Sequence, residues 1–234
     1  MRHLSAVLFA LLLTVSVFAG DAAGPKILIV GGGSSHDFGK FFNLADVATL
    51  KEKLNADVTY TDKVDEILPQ LKSLDVLYLS NNQPMLDPEL RKGIFDHADA
   101  GKGLLLVHPA LWYNWSNWKE YNAVLVGGGS RGHDKIQEFE VTIDKPDHPL
   151  MAGVKNFKVT DELYYYIPDE KGTPIEVLAS AKSPISGKVF PTVFIVKHPK
   201  ARIVGFTLGH DGRAHDLPEY KTILANAAKW CSGK

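Results

Sequence analysis

Apolar residues in the first half of the chain fall into two alternating rhythms. Lys26–Val30 is a short continuous apolar run that stops at Gly31-Gly32-Gly33, the pattern of a strand buried on both faces. Residues 43–54 then repeat with helical period, which sets Leu44, Val47, Leu50 and Leu54 on one face. Residues 58–60, 76–79 and 104–107 are further short apolar strands. Between them, residues 64–71 predict a helix. Asp87-Pro88 opens another helix, with an N-cap followed by proline at the first helical position, that runs to about Ala100 before Gly101. Strands alternating with helices in this way predict βαβ units on a parallel sheet covered on both sides, a three-layer, doubly wound α/β architecture.

The second half changes rhythm. Residues 136–143 alternate apolar and polar, 157–159 and 176–179 are short runs, and 189–196 is rich in β-branched residues. These predict antiparallel strands that extend the main sheet. Residues 202–207 return as a strand, and 218–231 close the chain as a helix with Tyr220, Ile223, Leu224, Ala227, Ala228 and Cys231 facing inward. No linker composition divides residues 26–231, so a single domain is expected.

The N-terminus carries a different signal. Arg2 and His3 precede an apolar stretch from Leu4 to Phe18, and Val17 and Ala19 are the small residues wanted before a cleavage point. Residues 1–19 are therefore expected to be a signal peptide, and the protein to be secreted or periplasmic. No second apolar stretch approaches spanning length, so no membrane attachment is expected after cleavage. Twenty-six Lys and Arg balance 27 Asp and Glu, which disfavours nucleic acid as a partner. A homo-oligomer is compatible with this composition. The single cysteine, Cys231, has no partner within the chain and is expected as a small buried helix residue, not a nucleophile.

Ligands of open α/β sheets gather where strands end and loops meet helix N-termini. His36 follows the first strand, His108 the fourth and His210 the late one, so three histidines from distant parts of the chain are expected at one rim. The glycine turn departs from the dinucleotide fingerprint, because His36 replaces its third glycine and no acidic residue ends the second strand. Gly32 and Gly33 instead let the backbone approach a ligand or turn the chain. His108 occupies the strand-to-helix junction where related architectures mount a Ser or Cys nucleophile, which disfavours acyl-enzyme chemistry. Behind it, Trp112 and Trp115 are candidates to stack on sugar rings, while Trp118 and Tyr121 share one helical face. His133, Asp161, Glu162, Tyr164 and Asp211 complete the candidate set as acids, bases or binding groups. No cofactor is called for. A divalent metal held by His36, His108, His133 or His210 with an acidic partner is chemically conceivable, although no H-x-x-x-H spacing supports it.

Gly31-Gly32-Gly33-Ser34-Ser35-His36-Asp37, Gly101-Lys102-Gly103 before the strand ending in His108, and Gly127-Gly128 with His133 occur in that order. Asp147-His148-Pro149-Leu150, Asp161-Glu162-Leu163-Tyr164, Leu208-Gly209-His210-Asp211 and a terminal helix ending near Trp230 follow. Together they resemble the trehalose-utilisation (ThuA-like) family over residues 26–231. The resemblance implies a flavodoxin-like, class I glutamine amidotransferase-like sandwich with histidine in the catalytic cysteine's place, hence no glutamine amidotransferase activity. Pro109 and the tryptophan-rich loop behind it depart from the family pattern. The family association implies carbohydrate (disaccharide or trehalose-type) utilisation and suggests a keto-glycoside substrate. Here His108 would be the general base, with His36 and His210 donating protons or polarising a carbonyl, and Asp161 or Asp211 orienting an imidazole. Gly32, Gly33, Trp112, Trp115, His133, Glu162 and Tyr164 would bind substrate. The alternative is a non-catalytic carbohydrate-binding protein on the same shell.

Overall fold

The computed structural model describes residues 24–112 and 116–234. The expected signal peptide, residues 1–19, and Trp115 lie outside the described residues. The strands are β1 (Lys26–Val30), β2 (Asp57–Thr61), β3 (Val76–Leu79), β4 (Gly103–Val107), β5 (Gly128–His133), β6 (Gln137–Ile143), β7 (Phe157–Asp161), β8 (Tyr164–Pro168), β9 (Ile175–Lys182), β10 (Val189–Val196) and β11 (Ile203–Phe206). The α-helices are α1 (Val47–Leu54), α2 (Pro88–Asp99), α3 (Gly212–His215) and α4 (Pro218–Ser232). None of the described helices is long and apolar enough to cross a membrane.

Nine strands form one sheet in the order β2-β1-β3-β4-β11-β10-β9-β6-β7. The first five run parallel, and from β10 onward each neighbour is antiparallel, as the change of rhythm predicted. Alternate side chains of β1 face different layers. Ile27 and Ile29 pack with Leu50 of α1 and with Ile223 and Leu224 of α4, whereas Leu28 and Val30 pack with Leu90 and Ile94 of α2. Each layer removes its own apolar stripe from water, which is why the parallel strands have no polar face.

Two expectations are corrected, and one strand pair has no counterpart in the sequence pattern. Leu44 is 67% exposed, because Gly39–Asp46 forms a π-helical segment whose wider turn carries it off the face of Leu50 and points Phe42 and Asp46 inward. Residues 64–71 form only the short 3-10 turns Val64–Glu66 and Leu71–Ser73 with an irregular stretch between them. Pro69, lacking an N–H, cannot sustain an α-helical ladder there. The glycine-rich residues after Gly127 and the tyrosines after Leu163 pair as the antiparallel β5 and β8, a separate two-stranded sheet. A Cβ at Gly128 would stand 2.2 Å from the Ile167 carbonyl, so glycine is needed for the strands to approach.

Beneath the carboxyl edge sits a buried polar centre. The Asp46 carboxylate accepts from Tyr78 Oη at 2.7 Å, Tyr220 Oη at 3.3 Å and His215 Nδ1 at 2.8 Å. His215 Nε2 donates to the Gly209 carbonyl at 3.0 Å, so both ring nitrogens face oxygen acceptors and the imidazolium is the form that satisfies both. Burial alone would push its pKa down, but the Asp46 carboxylate raises it above the ordinary value of 6.5. With the folded value above the unfolded one, this pair stabilises fully below pH 6.5 and loses that contribution as pH rises through the folded value. Asp46→Ala should cost about 3–5 kcal/mol, the range for breaking a buried ion pair. Urea unfolding at a series of pH values should show the wild type's advantage over Asp46→Asn narrowing from about pH 6.5 upward.

Candidate active site

The loop after β1 is shaped by its contact with the end of β3. Gly33 has φ +126°, and a Cβ there would lie 1.8 Å from Asn82 Oδ1. That close approach lets Asn82 clamp Ser34, accepting from its N–H at 2.8 Å and donating Nδ2 to its carbonyl at 2.9 Å. The same carbonyl accepts from His36 Nδ1 at 3.0 Å, which places the ring proton on Nδ1 and the lone pair on Nε2. Burial lowers the pKa of His36.

His108 leaves β4 with φ +43°, a left-handed conformation strained for a side-chain-bearing residue, and starts the 3-10 turn His108–Leu111 with Pro109 behind it. Val107 is in register with Phe206, so His108 and Thr207 leave the sheet side by side. His108 Nδ1 donates to the Thr207 carbonyl at 2.6 Å, and Tyr164 stacks on the ring at 4.3 Å. The residue is fully buried, and burial holds its pKa well below 6.5, so the ring is neutral with an unpartnered Nε2 lone pair.

The third histidine is fixed through its backbone. Asp161, at the end of β7, accepts from the N–H groups of Gly209 at 2.7 Å, His210 at 3.1 Å and Glu162 at 2.8 Å. Burial nevertheless pushes its pKa up to about 6. Glu162 therefore projects beside His210, with Oε2 3.1 Å from His210 Nδ1 and 3.8 Å from His108 Nε2, while Oε1 is 3.5 Å from His133 Nδ1. The Glu162 carboxylate raises the pKa of His210. Burial pushes that of Glu162 up, but the neighbouring imidazoles overcome it and hold the carboxyl below its usual range. The imidazole ring centres of His36, His108 and His210 lie 4.8 to 5.7 Å apart, the shared rim that their places after parallel strands predicted.

Above the cluster opens a polar cleft of about 300 Å³. Ser34, Ser35, His36, Asn82, Pro109, Trp112, His133, Glu162, Tyr164 and His210 line it, with His108 beneath. Gly32 and Gly33 do not line it; they support the loop against Gln83 and Asn82. Asp211 is also outside it, because its carboxylate caps α3 and pairs with the Arg213 guanidinium. Trp118 and Tyr121 stack on each other in the core, which settles their packing role. Asn82 escaped sequence reasoning although it follows a strand by the same rule as His36 and His108; an amide carries no titration to draw attention to it.

A family model described as ThuA, trehalose utilisation, matches residues 26–231. The chain belongs to this ThuA family. Its fold matches a ThuA-like protein from Parabacteroides merdae at a TM-score of 0.76 and 20% identity, over 90% of this chain and 91% of that one. A ThuA-like protein from Bacteroides uniformis matches at 0.72 and 20% identity, over 92% and 95%. A β-galactosidase from Bacillus circulans shares the fold at 0.58 and 12% identity, over 89% of this chain but 31% of its own. No curated protein matches the chain.

In this ThuA chain Asp161 should act as the clamp of the site. Asp161→Asn turns an acceptor of three N–H groups into a partial donor and leaves buried N–H groups unpaired, at a cost of about 1–3 kcal/mol. Denaturant unfolding reads the loss, and hydrogen exchange should speed selectively at the Gly209 and His210 amides.

Proposed function

We propose that this ThuA protein processes a keto-glycoside by acid/base chemistry, breaking its glycosidic bond through proton transfer next to the ketone. The observation that carries the reading is the meeting of three imidazoles and Glu162 at the base of a polar cleft walled by Trp112 and Tyr164. The flat indole suits the CH face of a sugar ring, and Ser34, Ser35 and Asn82 offer hydrogen bonds to hydroxyls.

A ketone at C3 acidifies the C2 proton. Its removal gives an enolate, whose electrons form the C1–C2 double bond as the C1–O bond breaks. The departing oxygen takes a proton, and water then adds at C1. Glu162 beside His210 holds positive charge in the cluster, where it faces the developing enolate oxygen. His133 lies on the cleft wall with Nδ1 donating to the Asp134 carbonyl at 2.8 Å, which leaves Nε2 as a lone pair to take the C2 proton. This shifts the base from His108, whose Nε2 is buried below the cleft lining. Direct hydrolysis with two carboxylates fits less well, because both oxygens of Asp161 are taken by backbone N–H groups and Glu162 is the one carboxylate among the described residues that line the cleft. The reading includes a place outside the cytoplasm, supported by the basic and apolar residues at the N-terminus.

Incubation with a panel of 3-keto-disaccharides, followed by mass spectrometry of the products, tests the proposal. Turnover is expected, with His133→Ala and Glu162→Gln lowering kcat by about 10²–10⁴ at unchanged thermal unfolding. Trp112→Ala should act mainly on KM. A wild type that turns over none of the panel overturns the reading, and calorimetric binding of unmodified disaccharides without product would favour a carbohydrate-binding protein.

A further inference from the structure

We infer that His36, His108, His210 and Glu162 form a binding site for one divalent first-row transition-metal ion. One ligand atom from each of the four lies within 4.8 Å of all the others. Around an ion with bonds of about 2.0–2.1 Å, tetrahedral ligand atoms stand roughly 3.4 Å apart, so small side-chain rotations bring these groups within bonding reach. Glu162 Oε2 is already 3.1 Å from His210 Nδ1 and 3.8 Å from His108 Nε2.

The second observation is the state of the nitrogens. His36 Nε2 and His108 Nε2 are buried and have no hydrogen-bond partner, and His210 Nδ1 faces the same point with the Glu162 carboxylate 3.1 Å away. Two buried lone pairs that face one another beside a carboxylate are unfavourable unless a cation joins them, and unsatisfied buried groups of this kind call for an ion or a function. A proton on one ring satisfies at most one contact, whereas a metal ion satisfies all of them. His36 and His108 also carry the supporting contacts typical of metal-bound imidazoles. The Nδ1 of each donates to a backbone carbonyl, Ser34 at 3.0 Å and Thr207 at 2.6 Å, which fixes the tautomer and turns Nε2 inward.

Donor chemistry narrows the ion. Three imidazoles with one carboxylate suit Zn²⁺, Fe²⁺, Co²⁺ or Ni²⁺ and disfavour Ca²⁺ and Mg²⁺, which want oxygen. His36, His210 and Glu162 line the cleft while His108 lies beneath, so the side of the site toward solvent is open to a water or a substrate oxygen. A keto-sugar oxygen placed there would meet the Lewis acid that polarises it. The metal site stands on geometry alone and does not depend on the identity of the sugar.

The test uses untagged chain stripped with a chelator and contains no sugar. Isothermal titration with Zn²⁺ should give one site per chain, with a rise in Tm as the ion is added. Co²⁺ should give the visible absorption of a four- or five-coordinate, nitrogen-rich site. Glu162→Gln should weaken binding at least tenfold, and His36→Ala with His210→Ala should abolish it while the stripped variants keep the stripped wild type's circular dichroism. Absence of stoichiometric binding, or equal binding by wild type and the double histidine variant, overturns the site. Metal bound without keto-glycoside turnover overturns only the reaction proposed above. Undiminished turnover by the stripped protein overturns a metal role and leaves that reaction standing.

Discussion

The site depends on one carboxylate whose two oxygens are both taken by backbone N–H groups. Asp161 ends β7, at the far edge of the sheet from β2, yet its oxygens take the N–H groups of Gly209 and His210 at the end of central β11 and of its own neighbour Glu162. A single buried acceptor thereby ties the antiparallel half of the molecule to the carboxyl edge of the parallel half. The opposite side of the same loop is held by His215, whose Nε2 donates to the Gly209 carbonyl while Nδ1 pairs with Asp46. Gly209 has φ +126°, and a Cβ there would meet Tyr220 Oη at 3.1 Å and His215 Nε2 at 3.3 Å, so the loop is gripped too closely for any larger residue. Glu162 and His210 end up side by side because both hang from this grip.

Strand order explains the remaining convergence. β4 and β11 are neighbours in register, which carries His108 to Thr207 without any loop, and β1 is separated from β4 only by β3. His36 crosses that gap through the glycine turn, with Asn82 at the end of β3 as its bridge. The arrangement could be anticipated because buried parallel strands are written as unbroken apolar runs, and a residue that follows such a run lies at the carboxyl edge whatever the strand order.

Less of the second half could be read, for identifiable reasons. β5 begins with two glycines and β8 with three tyrosines, because their pairing rests on close backbone approach at β5 and on the packing of the β8 tyrosines against Phe190 and Phe194 of β10. That small sheet brings His133 and Tyr164 to the cleft lining, a support that the sequence pattern does not show. The helical period over residues 43–54 failed at Leu44 because the π-helical turn serves Asp46, which must point inward to meet Tyr78 and His215. Asp211 stays outside the cleft lining for a simpler reason: Arg213, two residues on, captures its carboxylate locally. Sequence order showed which groups reach the edge, but local pairings of this kind decide which of them remain free to act.

The histidines themselves show how the fold separates structure from chemistry. His97 and His215 are buried and have both ring nitrogens engaged, His97 with the carbonyls of Leu71 and Gly103, His215 with Asp46 and Gly209. Such rings repay their desolvation with hydrogen bonds and need no further explanation. His108 is buried to the same degree, and its backbone is held at φ +43°, yet only Nδ1 is engaged. A strained backbone and an unpaired nitrogen both cost stability, and a core position would have been better served by an apolar side chain. Two costs coincide at one residue, and the unpaired atom faces the His36 and His210 imidazoles and a carboxylate directly beneath the cleft.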